Sequence, residues 1–244
     1  MINFIKSFVS IFLLLIIWVG IRVFFDIPER YLPSPTGVIN AIIDLQEKLP
    51  WHILATTIRI GASLVLGILF GIFGALVLHR FKMLNFFMPS LNALRSVPPV
   101  ALIPFFLLWF GFSEIGRIIL LTLGLGINVL VASANVLHFP TERDRILFRS
   151  FNIPINKLAL HWWLPRILES ILPTLRFGLA TAIGVVVVAE MLGSQTGLGY
   201  LIQTSRATFS LNVILLATAI FGILTSLFDN ALIYLWNKTV FWRK

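Results

Sequence analysis

Residues 53–78 read ILATTIRIGASLVLGILFGIFGALVL, an apolar run interrupted by one ionisable side chain, Arg59. About 18 to 20 such residues let a helix cross the hydrocarbon core of a bilayer. The run does not alternate apolar with polar positions, and in lipid every backbone N–H and C=O must be satisfied within the segment. It therefore predicts a membrane helix and not a barrel strand. Within it Ser63, Gly67, Gly71 and Ala75 recur every four residues. That spacing sets small side chains on one face, where a neighbouring helix can approach closely.

The rest of the chain is of the same material. It is 58% hydrophobic and 12% charged, with a mean hydropathy of +0.96, so lipid is its main solvent. Further apolar runs at 8–25, 86–110, 118–137, 172–192 and 213–236 complete a set of six spans. The prediction is an all-α polytopic membrane protein with six transmembrane helices. Residues 1–31 read as an N-terminal transmembrane anchor, because no small-x-small cleavage site follows the first span. Residues 32–50 form an extracytoplasmic turn and amphipathic helix, and 51–244 form the transmembrane domain. The third span is broken by Pro89, Pro98, Pro99 and Pro104, which suits an element lining a cavity.

Charge sets the orientation. With Lys6 in the cytoplasm, thirteen cations fall on that side and six on the other, which puts both termini and the 138–165 segment in the cytoplasm. The net charge of +9 lies between apolar runs and not on a polar domain with exposed aromatics, so it reads as helix-flanking charge and not as a nucleic-acid surface. Enzyme chemistry has little to work with. Cysteine is absent, and His52, His79, His138 and His161 have no metal or triad spacing.

Two acidic residues inside spans need partners. Glu190 and Arg59 lie at similar depth, the latter about 9 Å into its span at a 1.5 Å rise per residue. They are read either as a structural ion pair or as a gating or substrate-path element. Asp229, deep in the last span, is within reach of Arg95 or Arg176. Gly193, Gly197 and Gly199 after Glu190 make a permissive turn; no strand precedes and no Lys follows, which argues against a nucleotide loop.

Residues 141–176, TERDRILFRSFNIPINKLALHWWLPRILESILPTLR, interrupt the apolar pattern. Thr141 and Asp144 form a capping-box variant that starts a short helix. Asn152, with Pro154 two residues on, ends it. A second short helix is expected to stop near Leu164 and Pro165, giving a rigid cytoplasmic hairpin.

Here the chain resembles the integral-membrane permease subunits of ATP-binding cassette importers, of the nitrate/sulfonate/taurine type. The resemblance runs from about Leu32 to the C-terminus and is carried by 188–202, VAEMLGSQTGLGYLI. Supporting stretches are 32–35, LPSP; 95–99, RSVPP; 101–104, ALIP; 108–114, LWFGFSE; and the Leu164–Pro165 ending. It implies a type I importer permease fold, a permease homodimer, cytoplasmic ATP-binding subunits and an extracytoplasmic solute-binding protein. ATP would be bound by the partner, leaving this chain without a cofactor. The family's Glu-Ala-Ala signature aligns with Ile146, Leu147 and Phe148, and its Gly with Asn152. Contact with the ATPase would then fall to Arg145, Phe148, Arg149, Phe151, Asn152, Ile153, Pro154 and Pro165. Asn128 stands where the family has Pro, which would straighten the fourth span. Arg95, Pro98, Pro99 and Pro104 are candidates for the pathway. The implied substrate is a small anion such as a sulfonate or nitrate, although carriers of thiamine precursors and riboflavin look similar. An ion-gradient-driven secondary transporter is the alternative. It calls for internal repeats and paired midplane charges, and no repeat is visible.

Overall fold

The computed structural model describes residues 13, 15–29, 31–138, 146, 150 and 162–243. Helix α1, Leu15–Phe24, is the described part of the first apolar run. Helix α2, Pro35–Asp44, begins where Ser34 adopts extended backbone and its Oγ accepts the Gly37 N–H at 2.9 Å. Pro35 at the first helical turn needs no N–H partner, which fixes the start of the helix. Helix α3 covers Leu49–Arg80, α6 Glu114–His138, α7 Leu164–Gly193, α8 Leu198–Ala207 and α9 Leu211–Thr239. No strand occurs among the described residues.

Four of these helices, α3, α6, α7 and α9, are long and apolar enough to cross a membrane. A fifth crossing is divided between α4, Leu84–Arg95, and α5, Ile103–Phe110, with a 3-10 turn at Pro99–Leu102 between them. The two halves meet at 85°. The proline pair explains the break: Pro98 and Pro99 donate no backbone hydrogen bond, and Pro98 holds φ −61° and ψ 122°, outside the helical region. The break expected in the 86–110 span thus falls at Pro98 and Pro99, and the span is two short helices around an angular joint.

Helix α6 is the centre of the packing, set against α3, α7 and the α4–α5 pair. The small-residue face of α3 meets it: Ser63, Gly67, Gly71 and Ala75 are all buried. A Cβ on Gly71 would come within 2.6 Å of the Val129 side chain and 2.8 Å of the Gly126 carbonyl. Only the absence of a side chain permits that approach. The apolar core follows the same seam through Ile60, Leu64, Leu125 and Val129, then into α7 at Ile167, Leu175 and Leu179.

One expectation is corrected here and another is met. Leu164 and Pro165 do not end a short helix before a span at 172–192; they begin α7, which runs unbroken to Gly193. Pro165 sits in the first turn, where its missing N–H goes unused, and Pro173 deletes one hydrogen bond without ending so long a helix. Helix α6 passes straight through Asn128, whose amide donates to the Gly124 carbonyl at 2.8 Å.

Candidate functional site

A charged cluster ties α3, α6, α7 and the turn into α8 together. Arg59 is 3% exposed and Glu190 is fully buried, and Arg59 Nη1 donates to Glu190 Oε1 at 2.5 Å. The other side of the guanidinium is taken by Glu114 in a two-pronged contact, Nε to Oε2 at 2.7 Å and Nη2 to Oε1 at 2.6 Å. Arg117 joins Glu114 at 2.6 Å and also donates to the carbonyls of Phe112 and Gly193. Two guanidinium and two carboxylate groups balance in charge, which the buried Arg59, Arg117 and Glu190 require, while Glu114 is 55% exposed.

The turn between α7 and α8 is built on Glu190. Its carboxylate accepts from the Thr56 hydroxyl at 2.9 and 3.0 Å and from the Gly199 N–H at 2.8 Å. Thr56 Oγ1 in turn accepts the Leu198 N–H at 2.9 Å, and His52 Nδ1 accepts the Gly197 N–H at 3.0 Å. That last bond leaves the His52 proton on Nε2. Arg59 completes the turn by donating to the Thr196 carbonyl at 2.9 Å. Gly197 holds φ 115°, and a Cβ there would land on the Glu190 carboxylate. Glycine is required on both counts.

The one hydroxyl set against a carboxylate in the cluster, Thr56 on Glu190, is fully buried together with its acceptor, and no group of three metal-ligating side chains occurs among the described residues. Chemically it is a clamp: it fixes the end of α7 to α3 and α6 and orders the backbone that enters α8.

A second set of polar groups lies elsewhere on the bundle. A groove of about 510 Å³ is lined by Arg95 and Ser96 at the end of α4, by Asn128, Ala132 and Asn135 of α6, and by Pro173, Thr174 and Phe177 of α7. Asn128, Ala132 and Asn135 follow helical i, i+4, i+7 spacing and so share one face. Beyond the groove, Arg176 of α7 meets Asp229 of α9 with Nε to Oδ1 at 2.6 Å and Nη2 to Oδ2 at 2.8 Å.

Of the residues singled out from sequence, Arg59 and Glu190 are brought together. Asp229 takes Arg176, not Arg95, which instead faces the groove. Pro98 and Pro99 form the joint, with Pro99 packed where a Cβ on Gly124 would come within 3.1 Å of it, and Pro104 sits in the first turn of α5. Pro165 opens α7. Arg145, Phe148, Arg149, Phe151, Asn152, Ile153 and Pro154 lie outside the described residues. Sequence reasoning missed His52, Thr56, Glu114 and Arg117 as members of the cluster. One signal was available: His52, Thr56, Arg59 and Ser63 continue the spacing of the glycine face toward the end of α3. Glu114 and Arg117, one turn apart on another helix, had no such marker.

Comparison with known proteins gives a consistent answer. The family model described as "Binding-protein-dependent transport system inner membrane component" matches residues 67–241. SsuC of Bacillus subtilis, named for aliphatic sulfonate transport as a permease protein, is 30% identical over 87% of this chain and 78% of its own length. The taurine transport system permease protein TauC of Escherichia coli is 26% identical over 94% of this chain and 86% of its own. The formylaminopyrimidine transport permease protein ThiX of Halalkalibacterium halodurans is 29% identical over 95% and 93%.

Proposed function

The chain belongs to the binding-protein-dependent transport system inner membrane components, and we propose that within this class it imports a small organic anion with a sulfonate or similar oxyanion head. It is a multi-pass membrane permease and forms the translocation pathway of an ATP-binding cassette importer. Relatives named for aliphatic sulfonates and taurine support the anionic substrate. Residues 1–31 would anchor the chain, 32–50 would lie outside, and both termini would share the cytoplasm, as the distribution of cations favours. Two copies would form the pathway, with ATP bound and hydrolysed by partner subunits seated on the 138–165 segment and solute delivered by a binding protein outside.

The observation that carries the mechanism is the 85° joint between α4 and α5, packed against the central helix and bordering a polar groove. Broken helices are tolerated in a membrane where they line a cavity, and a joint of two short arms can swing against the rigid α3–α6 pair. Closure of the ATPases on ATP would move the cytoplasmic segment and, through it, these arms. The clamp at Glu190 would keep the outer ends of α3, α6 and α7 in register during the cycle.

The test is reconstitution of the chain with its co-encoded ATPase and binding protein in proteoliposomes. Uptake of ethanesulfonate or taurine should require ATP and persist when ionophores collapse the ion gradients. Uptake that follows a gradient and ignores ATP would mark a secondary transporter and refute the proposal.

A further inference from the structure

We infer that the groove between α4, α6 and α7 is an oxyanion station on the transport path, with Arg95 as its cation and Asn128, Asn135 and Thr174 as its neutral donors. The inference rests on the importer reading and specifies where and how that importer recognises its anion. Three observations carry it.

First, the groove reaches from near the end of α6, where Asn135 lies three residues before His138, into the body of the spans. Asn128 is about 21 Å along α6 from Glu114, and Thr174 about 15 Å along α7 from Leu164, at 1.5 Å per residue. Second, Arg95 is the only ionisable group lining it among the described residues, and none of these pairs with it. Arg176, two residues on from Thr174, is already engaged by Asp229. A guanidinium beside membrane-spanning helices is costly unless a counter-charge, water or a visiting anion meets it. Third, the remaining lining matches an aliphatic sulfonate in kind. The guanidinium fork takes two oxygens side by side, and amide and hydroxyl donors are available for a third. Phe177, 65% exposed, with Pro173 and Ala132, offers an apolar wall for the alkyl part.

The same features keep the hold loose. One cation in an open groove, with no second charge among the described lining residues, favours entry without trapping, as conduction through a site requires.

The experiment uses the whole transporter, with its ATPase and binding protein, in liposomes of phosphatidylcholine alone and of phosphatidylcholine with phosphatidylglycerol. The probes are radiolabelled ethanesulfonate and a neutral aminopyrimidine. Arg95→Gln should lower ethanesulfonate uptake about tenfold or more and raise the ATP hydrolysed per ethanesulfonate moved. Arg95→Lys should recover a substantial part of the uptake, and Asn135→Asp, which brings a carboxylate into the groove, should be as severe as Arg95→Gln. These effects should appear in both lipid mixtures.

Variants that transport like the parent would overturn the inference. So would uptake and hydrolysis falling in proportion, which would make Arg95 a structural or coupling residue. A loss seen only with phosphatidylglycerol present would assign the groove to a lipid headgroup. In each of these cases the importer reading survives. A parent complex that moves the aminopyrimidine and not ethanesulfonate would refute the anionic substrate itself, and the station with it.

Discussion

Removing the two members of the buried ion pair should have unequal consequences, because their remaining partners are unequal. With Arg59→Gln, Glu190 stays fully buried and keeps only the Thr56 hydroxyl and the Gly199 N–H. A buried charge stripped of its counterion costs about 3–5 kcal/mol. With Glu190→Gln, Arg59 retains both contacts to Glu114, at 2.6 and 2.7 Å, so the cost reduces to lost charge-assisted hydrogen bonds, about 1–3 kcal/mol. The double substitution leaves two neutral amides and should cost less than the sum of the singles by roughly 1–3 kcal/mol, the usual range for residues in direct contact. The measurement is unfolding of the purified transporter by sodium dodecyl sulfate in mixed micelles, followed by fluorescence, for the parent, both singles and the double. Arg59→Gln costing no more than Glu190→Gln would refute the asymmetry. Additivity within about 0.5 kcal/mol would refute the coupling.

The seam between α3 and α6 predicts that Gly71→Ala costs about 1–3 kcal/mol by overpacking against Val129, while Gly222→Ala, where nothing lies within 4 Å, stays close to the parent in the same assay. Gly197→Ala should lose about 1–3 kcal/mol to backbone strain alone and lower the yield of folded complex on size-exclusion chromatography; a parent-like profile and stability would show that the turn does not depend on φ 115°. A cysteine placed at Ser150 should resist an impermeant thiol reagent added outside intact cells, and labelling there would overturn the proposed orientation. At the proposed ATPase contact, Asn152→Gly should transport like the parent, whereas Asn152→Val should insert normally yet lose substrate-stimulated ATP hydrolysis; a β-branched residue resists the left-handed conformation.

The elements that sequence revealed are those governed by a repeating pattern. The apolar runs located α3, α6 and α9 to within a few residues, and the four-residue spacing from Ser63 to Ala75 marks the buried face of α3 without reference to its partner. Arg59 and Glu190 were legible as a pair because each is rare in its surroundings and their depths match. What remained hidden was set by geometry between helices. The place of Glu114 beside Arg59 depends on how α6 enters the bundle, which no local pattern records. The same applies to Asp229, whose choice of Arg176 over Arg95 follows from the packing of α9 on α7. Pro165 was misread for a different reason. A proline that ends one helix and a proline that opens the next look alike in sequence, and only the continuous turns of α7 distinguish them.

The glycine contact between α3 and α6 has a mechanical meaning as well as a packing one. Two backbones that touch through Gly71 and Gly126 cannot slip past one another by a turn, so the pair resists shear and behaves as a stiff beam. Its ends are unlike. One, at His138, feeds directly into residues 139–161; the other, at Glu114, grips Arg59 and, through it, the turn before α8. Over about 37 Å of helix, at 1.5 Å per residue, a displacement imposed at the first end arrives at the second with little lost to bending. Timing across the bilayer would then be a property of this beam: the two faces of the protein would move as opposite ends of one lever and not in sequence, and softening the seam would introduce a lag between them.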